Sequence, residues 1–470
     1  MKFKILLLCL AASMMLACNN NNVTLPVTRT LECDVLVVGG GPAGIASAIA
    51  SSRTGANTIL AEKNGLLGGM ATTGLVAPFM SSTTPDGKTL LIRGIFEELV
   101  NRMVAKGGAI HPLNYKIGSY TAYRDKGHHG LTTFDYECFK RTTEEMCLEA
   151  GVNLYYHLLF MKTDMSKDKI TAAYFATKDG MWKIVAKNYI DCTGDGDVAY
   201  QSGVPYIYGD GQDGIQAVSM FFTVRGVDKA KMDAHNEKCL KNGDYEGQWY
   251  MREIKAAREA GEFPSWRNKI ALFENLDGTY TVNMAQSDNV DGLDPKQVTD
   301  AEVDGRFQIQ EIVKFLRKYV DGCQNCTLVA TAAELGVRET RRVIGEYNVT
   351  TEDAKNSVRY PDPIFCCANH MDIHKKGYVD YVARNTNDPY YIPYRALLPQ
   401  KVSNLLVAGR CAAAERPVLA AIRVIPPCFA MGQAAGTAAA LSVKNSVGPK
   451  NLSVDELLGK LKADGVYIPE

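Results

Sequence analysis

The strongest constraint on this chain lies between residues 33 and 62. A short apolar run, Cys33-Asp34-Val35-Leu36-Val37-Val38, meets Gly39-Gly40-Gly41-Pro42-Ala43-Gly44, and small and apolar residues then recur at helical spacing from Ala43 to Thr54. A second run, Thr58-Ile59-Leu60-Ala61, ends at Glu62, eighteen residues beyond Gly44. Strand, glycine turn, helix, strand and acid, in that order, make a Rossmann-type unit that binds a dinucleotide. Gly39 allows the tight turn, Gly41 lets backbone N–H groups approach a pyrophosphate, and Gly44 lets helix and strand pack closely. The helix N-terminus adds positive potential for the phosphates. Glu62 can accept hydrogen bonds from ribose hydroxyls, which disfavours a 2′-phosphate there. This unit alone does not separate NAD from FAD.

With 470 residues and 46% apolar content, the chain can bury a sizeable core in two or three domains. Its 52 basic and 52 acidic residues balance, so no bulk field points to nucleic acid or to an anionic membrane. Residues 1–18 read as an export signal: Lys2 and Lys4 precede the apolar run Ile5 to Leu16, followed by Ala17 and Cys18. The run is too short to span a bilayer comfortably. Met15-Leu16-Ala17-Cys18 resembles a bacterial lipobox, which implies that Cys18 carries lipid in a periplasmic or cell-envelope lipoprotein. The membrane is then met only through that anchor. Removing Cys9 and Cys18 from the thirteen cysteines leaves eleven, without a disulfide framework spacing. No second CxxC or paired histidine completes a metal site with Cys323 and Cys326, and no CxxCxxC run suits an iron–sulfur cluster. No metal is expected.

Beyond the first unit, residues 19–29 read as a linker, with the fold starting near Leu31. A helix of mixed polarity from Phe134 leads to Gly151, and Val152 to Leu159 alternates into a strand. Ile170 to Thr177 and Met181 to Ala186 are β-type runs joined by the Asp179-Gly180 turn. Asn188-Tyr189-Ile190-Asp191 then enters a second glycine turn, Thr193-Gly194-Asp195-Gly196-Asp197. From about 205 to 395 the texture changes, with more Asn, Tyr and Asp, and this stretch reads as an inserted domain. Within it Thr299 and Glu302 suggest a capping box before a helix through Tyr319. Core character returns at Asn404 to Gly409. Pro426 and Pro427 open a small-residue helix over Cys428 to Leu441, and Ser453 and Glu456 cap a terminal one. The expected class is α/β: a Rossmann-type domain (parallel sheet plus β-meander) from 30–77, 131–204 and 396–443. An α+β substrate or cap domain takes 78–130 and 205–395, and a C-terminal helix 444–470.

Three further segments carry a resemblance. Glu62-Lys63-Asn64-Gly65-Leu66-Leu67-Gly68-Gly69-Met70 resembles the second FAD contact of the glutathione-reductase-like flavoproteins, where bare backbone runs beside the cofactor. Ile190 to Asp197 resembles the strand-to-turn segment with which those families return to it, although its aspartates also suit an ordinary turn. Asn404 to Arg410, with Ala421 to Cys428 and Gly432-Gln433-Ala434-Ala435-Gly436, resembles their C-terminal flavin segment; Arg410 stands where many of them place an aspartate. Together with Glu334 to Tyr347, these segments resemble one family of bacterial FAD-dependent oxidoreductases, related to the flavoprotein subunit of heterodisulfide reductase. The resemblance implies FAD as cofactor, held by Gly39, Gly41, Pro42, Ala43, Gly44, Glu62, Lys63, Gly68, Gly69, Met70, Thr193, Gly194, Asp195, Gly409, Arg410 and Gly432. The helix opened by Pro426 can aim N–H groups at flavin N1 and C2=O.

Catalytic candidates are fewer. Arg338, Arg341 and Arg342 sit where the inserted domain should approach the flavin, and guanidinium forks suit carboxylates. Two of the three are expected to be structural: Arg338 and Arg341 can share a helical face, and Arg342 can pair with Glu346 four residues on. Arg423, just before the flavin helix, is the arginine most expected near the ring. His370 and His374, with Asp372 between, can share a helix face as acid and base, and His370 is taken as the proton exchanger. Cys428 lies near a helix N-terminus, which lowers a thiol pKa and could turn it to the flavin, although such a cysteine more often simply packs. The leading expectation is a dehydrogenase or reductase that moves a hydride between flavin and a small organic substrate, anionic ones included, with an electron donor or acceptor the sequence does not name. A dithiol–disulfide flavoprotein using Cys323 and Cys326, and an FAD-containing binding lipoprotein without catalysis, stand as alternatives.

Overall fold

The computed structural model describes residues 25–80, 82–114, 131–212, 214–241, 250–263, 265–267, 270–375 and 378–469. Cys18 and the export signal lie outside the described residues. Strands β1 (Val27–Val38), β2 (Thr58–Ala61), β3 (Asn153–Tyr155), β4 (Leu159–Ser166), β5 (Lys169–Thr177) and β6 (Gly180–Asp191) form one sheet in the order β3-β2-β1-β6-β5-β4. A seventh strand, Leu405–Val407, pairs with the C-terminal end of β6. The apolar end of β1, Val35 to Val38, is buried on both faces and runs parallel to β2 and β6, which is why it reads as an unbroken hydrophobic run. β4, β5 and β6 continue the sheet as an antiparallel meander, with the β5–β6 turn at Asp179-Gly180 as expected. The strand starts earlier than Leu31. Val27 to Cys33 pair with Met181 to Ala186 on β6, partners some 150 residues away that local patterning does not reveal.

The helix Pro42–Arg53 packs in parallel against the helix Ile425–Lys444, both buried along nearly their whole length. Glycine makes this contact possible. A Cβ on Gly432 would lie 2.1 Å from the Ala43 carbonyl oxygen, and one on Gly436 2.1 Å from that of Ser47. The backbones therefore meet with no side chain between them.

A second core supports the inserted domain. The sheet Thr327–Thr331, Val218–Arg225, Tyr280–Ser287, Leu272–Glu274 is covered by the helix Pro295–Tyr319, with Met220, Phe222, Val282, Ile309, Ile312 and Phe315 between them. That helix starts before the expected capping box. Asp294 is its N-cap, accepting from Lys296 N, and Pro295 follows, whereas Thr299 lies inside the helix with its hydroxyl donating to the Pro295 carbonyl. Sequence reasoning assigned residues 78–130 and 205–395 to the inserted domain, but the described part of the first stretch and the end of the second belong elsewhere. Phe79, Phe96 and Leu99 from the first stretch and Val349, Phe365 and Tyr390 from the second pack into the core of the nucleotide domain. At the C-terminus, Ser453 caps the helix Val454–Ala463 by accepting from Glu456 N, as read from the sequence.

Candidate functional site

The glycine turn sits at the C-terminal end of β1, tied down by Gly39 N donating to Ala61 O at 2.8 Å. Gly39 has φ +100°, and a Cβ on Gly44 would fall 1.7 Å from the Gly39 carbonyl oxygen, so both glycines are required by the protein itself. Gly41 is different. Its φ of −71° suits any residue, and a Cβ there would meet nothing within 4 Å. The bare backbone opens onto space beside a helix N-terminus that has no side-chain cap and no acid in its first turn. That is a cradle for an anion.

Glu62 closes the turn from below, its carboxylate accepting from Gly40 N at 2.6 Å and Asn64 N at 2.7 Å, while burial pushes its pKa up. Lys63 pairs with Glu334 of the inserted domain at 3.0 Å. Gly68 N donates to Gly40 O at 2.9 Å, and Gly68 and Gly69 have φ of +111° and +48°. A Cβ on Gly69 would lie 3.2 Å from Gly41 Cα, so this pair runs backbone to backbone along the nucleotide turn. Met70 follows, its carbonyl accepting from Val76 N.

The second glycine turn follows β6. Asp191 is fully buried and accepts from Thr193 N, Thr193 Oγ1 and Ala199 N; burial pushes its pKa up to about 6. Asp191 thus shapes the loop rather than facing a ligand. Asp195 meets Arg410 at 2.8 Å and accepts from Thr340 Oγ1 at 2.7 Å. Gly409, beside it, has φ +96°.

The helix Ile425–Lys444 also starts without a side-chain cap or a first-turn acid. Gly432 stands opposite Ala43, so the Ile425 helix begins seven residues, about 10 Å at 1.5 Å per residue, ahead of that contact. Two parallel helix N-termini are therefore staggered along one direction. An extended dinucleotide with an anionic pyrophosphate and an electron-accepting ring fits that stagger, with Gly39 to Gly44 at the first locus and Val424 to Cys428 at the second.

The arginine cluster does not form a helical face. Arg341–Val343 is a strand paired with Tyr206–Tyr208. Arg341 donates to Asp197 at 2.8 Å and to the Asp195 carbonyl, and stacks over Tyr200. Arg342 turns inward to the carbonyls of Ala414 and Gly209, and Glu346 pairs with Lys450 instead of Arg342. Arg338 is buried and donates to the Ala217 carbonyl. Arg423 stands apart. Its guanidinium makes no hydrogen bond or ion pair among the described residues, its Nε is sealed from solvent, and burial pulls its pKa down.

The two histidines lie on a hairpin, Met371–Lys375 with Tyr378–Val382, not on a helix. His370, just before it, sets its ring edge-on to Tyr381. His374 is 5% exposed and shares a hydrogen bond of 3.1 Å between Nε2 and Asp372 Oδ2. Cys428 hydrogen-bonds the Ile422 carbonyl, and burial pushes its thiol up to about 12, outweighing the helix N-terminus invoked from sequence. Cys323 and Cys326 are free thiols sealed in the core of the inserted domain.

Sequence reasoning missed the buried network that joins the inserted domain to the nucleotide domain. Glu339, fully buried, accepts from Gln216 N at 2.8 Å, Gln216 Nε2 at 2.9 Å and Arg416 Nε at 2.9 Å. Gln216 Oε1 accepts from His374 N at 3.1 Å, and Ala217 N donates to the His374 carbonyl. The only local signal was Glu339 among three arginines. Around this junction Ser219 Oγ, the Gln286 side-chain amide and Asn369 Oδ1 are buried without a hydrogen-bond partner among the described residues. Ser219 and Gln286 are cross-strand neighbours, and Asn369 Nδ2 donates to the Ala421 carbonyl, two residues from Arg423. Buried polar atoms of this kind are costly unless a ligand or water completes them.

Comparison with known proteins gives a family model, described as FAD dependent oxidoreductase, that matches residues 34–461. Mitochondrial dihydrolipoyl dehydrogenase of Dictyostelium discoideum is 29% identical over 112 residues, 24% of this chain and 22% of that protein. The match thus spans about a fifth of that relative's length. Among solved structures, a geranylgeranyl bacteriochlorophyll reductase-like protein from Thermoplasma acidophilum superposes with a TM-score of 0.45 at 12% identity, covering 92% of this chain and 83% of that one. The anhydrotetracycline hydroxylase of Streptomyces rimosus gives 0.46 at 13% identity, over 92% and 66% of the two chains. The p-nitrophenol 4-monooxygenase of Pseudomonas putida gives 0.46 at 12%, over 92% and 84%.

Proposed function

The chain belongs to the FAD dependent oxidoreductase family, and from that premise we propose that it moves a hydride between FAD and a small organic substrate, anionic ones included, held beneath the inserted domain. FAD supplies the two-electron chemistry when bound. Gly39, Gly41, Pro42, Ala43 and Gly44 hold the pyrophosphate on the Pro42 helix. Glu62 and Lys63 face the adenosine ribose, and Gly68, Gly69 and Met70 run beside the chain of the cofactor. Thr193, Gly194, Asp195, Gly409 and Arg410 would line its ribityl side, whereas Gly432, expected from the sequence to touch the cofactor, is taken up by the backbone contact with Ala43.

The observation that carries the substrate reading is Arg423. A guanidinium with no hydrogen-bond or ion-pair partner among the described residues, at the start of the second helix N-terminus, favours a bound anion. Arg338 and Arg341, already engaged with the Ala217 carbonyl and Asp197, position the junction in this reading rather than touch substrate. The Cys323–Cys326 pair has no comparable support, because both thiols are sealed inside the inserted domain. The test is anaerobic mixing of the purified holoprotein with candidate donors, following loss of the flavin absorbance. Bleaching by at least one small organic donor supports the reading; a flavin that only dithionite reduces overturns it.

The same reading places the protein in the cell envelope, anchored through Cys18. Its support is the charged and apolar order of residues 1–18. Among the described residues no single helix is long and apolar enough to cross a membrane. Metabolic labelling with palmitate, lost in Cys18→Ala, checks the anchor.

A further inference from the structure

His374 combines three properties that no other described histidine shows together. It is more than nine-tenths buried, its Nε2 is held by the Asp372 carboxylate at 3.1 Å, and its Nδ1 has no hydrogen-bond partner among the described residues. Its backbone is fixed on both sides, by Gln216 Oε1 at its N–H and by Ala217 N at its carbonyl. A buried imidazole with one nitrogen oriented by a carboxylate presents the other as a proton acceptor.

The surroundings select the substrate. The short helix Arg416–Ile422 packs against the strand Met371–Lys375, which brings Arg423, at the C-cap of that helix, into the electrostatic reach of Asp372. Arg338 and Arg267 also face His374 with positive charge. Asp372 is the acid acting on the ring and Glu339 a second one acting on Arg423, so Arg338, Arg267 and Arg423 stand against two carboxylates, of which Glu339 is already paired with Arg416. That excess suits an anion. An alcohol must lose its hydroxyl proton as its hydride leaves, whereas a neutral amine can give up hydride with no base; the Asp372–His374 pair therefore favours a hydroxyl.

Resting on the proposed hydride transfer, we infer that His374, oriented by Asp372, is the base for oxidation of a hydroxy carboxylate whose carboxylate meets Arg423. The hydroxyl proton passes to His374 Nδ1, the carbon-bound hydrogen leaves with its electron pair to FAD, and the C–O bond becomes a carbonyl. The products are a keto acid, reduced FAD and a protonated imidazole, which releases its proton to water. Burial and the facing arginines hold the free imidazole pKa down at about 3; a bound carboxylate that neutralises those charges raises its basicity when the base is needed. The unpartnered Ser219 and Gln286 groups suit additional hydroxyls on the substrate.

The experiment uses the full-length holoenzyme and stopped-flow bleaching with glycolate, L-lactate, D-lactate, L-malate and D-gluconate, with propane-1,2-diol as the uncharged control. Oxalate, which cannot be oxidised in this way, reports anion binding through the visible spectrum. At least one hydroxy acid is expected to bleach the flavin at least 100-fold faster than the diol. His374→Gln should slow that step at least 100-fold while keeping FAD content and oxalate affinity, and free imidazole should restore rate to His374→Ala. Should His374→Gln fold poorly, Asp372→Asn keeps the ring and is expected to lose about tenfold. Bleaching by amines or thiols but by no hydroxy acid overturns this inference and leaves the proposed hydride transfer standing. Wild-type rates in His374→Gln also overturn it. A flavin that no organic donor reduces overturns both.

Discussion

Arg410 reaches from the turn after the strand Leu405–Val407 to place Nη2 2.8 Å from Oδ1 of Asp195, on the turn after β6. The two turns follow neighbouring parallel strands, so the pair ties together the loops that flank the ribityl side of the proposed FAD site. An aspartate in place of Arg410 would set two acids against each other. Both side chains keep partial solvent contact, 18% and 27% exposed, so the coupling is expected to be about 1 kcal/mol. A double-mutant cycle with Arg410→Met and Asp195→Asn, read by urea unfolding of the apoprotein, measures it. Each single variant should also weaken FAD binding, since either change frees its loop.

Gly41 and Gly44 separate cofactor binding from folding. A side chain on Gly41 meets open space, whereas one on Gly44 collides with the Gly39 carbonyl. Gly41→Val is expected to leave the apoprotein Tm within about 2 °C of wild type while weakening FAD at least tenfold, about 1.4 kcal/mol. Gly44→Ala should lower the yield of folded protein instead. Flavin fluorescence titration and calorimetry on the two variants distinguish these outcomes.

The Pro42 and Ile425 helices meet at Gly432 and Gly436, where a Cβ would sit 2.1 Å from a carbonyl oxygen. Relief requires moving two buried helices apart. Gly436→Ala is expected to cost about 2–3 kcal/mol or more, read as a fall in denaturation midpoint. Gly459→Ala, on an open helix surface, should not destabilise and serves as the control.

His374 also makes stability depend on pH. Burial lowers its pKa to about 3 in the folded protein, against about 6.5 when unfolded, so between these values the unfolded chain binds more protons. Unfolding free energy should therefore rise with pH across that window, with a slope from this group of at most about 1.4 kcal/mol per pH unit. Asp191 acts with the opposite sign: its pKa is raised to about 6, and its contribution falls as pH rises from its unfolded value of 3.8. Subtracting the His374→Gln stability curve from wild type isolates the histidine. A difference that stays flat from pH 4 to 6.5 would contradict its buried, neutral state.

The nucleotide unit was legible because each of its signals is local. The apolar run of β1, the glycines, the small-residue helix and Glu62 fall within thirty residues, and each constrains its own backbone. The junction was not legible for the opposite reason. Glu339 meets Gln216 and Arg416 across 123 and 77 residues, and Arg341–Val343 pairs with a strand more than 130 residues earlier. Charges spaced three and four apart mimicked a helical face there, and the same spacing misled at His370 and His374. The missed start of the helix Pro295–Tyr319 was a matter of competing caps: Asp294-Pro295 was available in the sequence and outranks Thr299 physically, since proline at the first helical position loses no hydrogen bond. Cys428 shows burial overruling a helix N-terminus, a balance that only three-dimensional packing sets.

The most direct measurement is the visible spectrum and flavin content of the purified full-length protein. Bound FAD near one per chain, with flavin absorbance bands and loss of both in Gly41→Val, is the expected result. A folded, colourless protein that takes up no FAD on reconstitution would contradict the assignment of the glycine turn, the Gly68–Gly69 segment and the Ile425 helix to one flavin site.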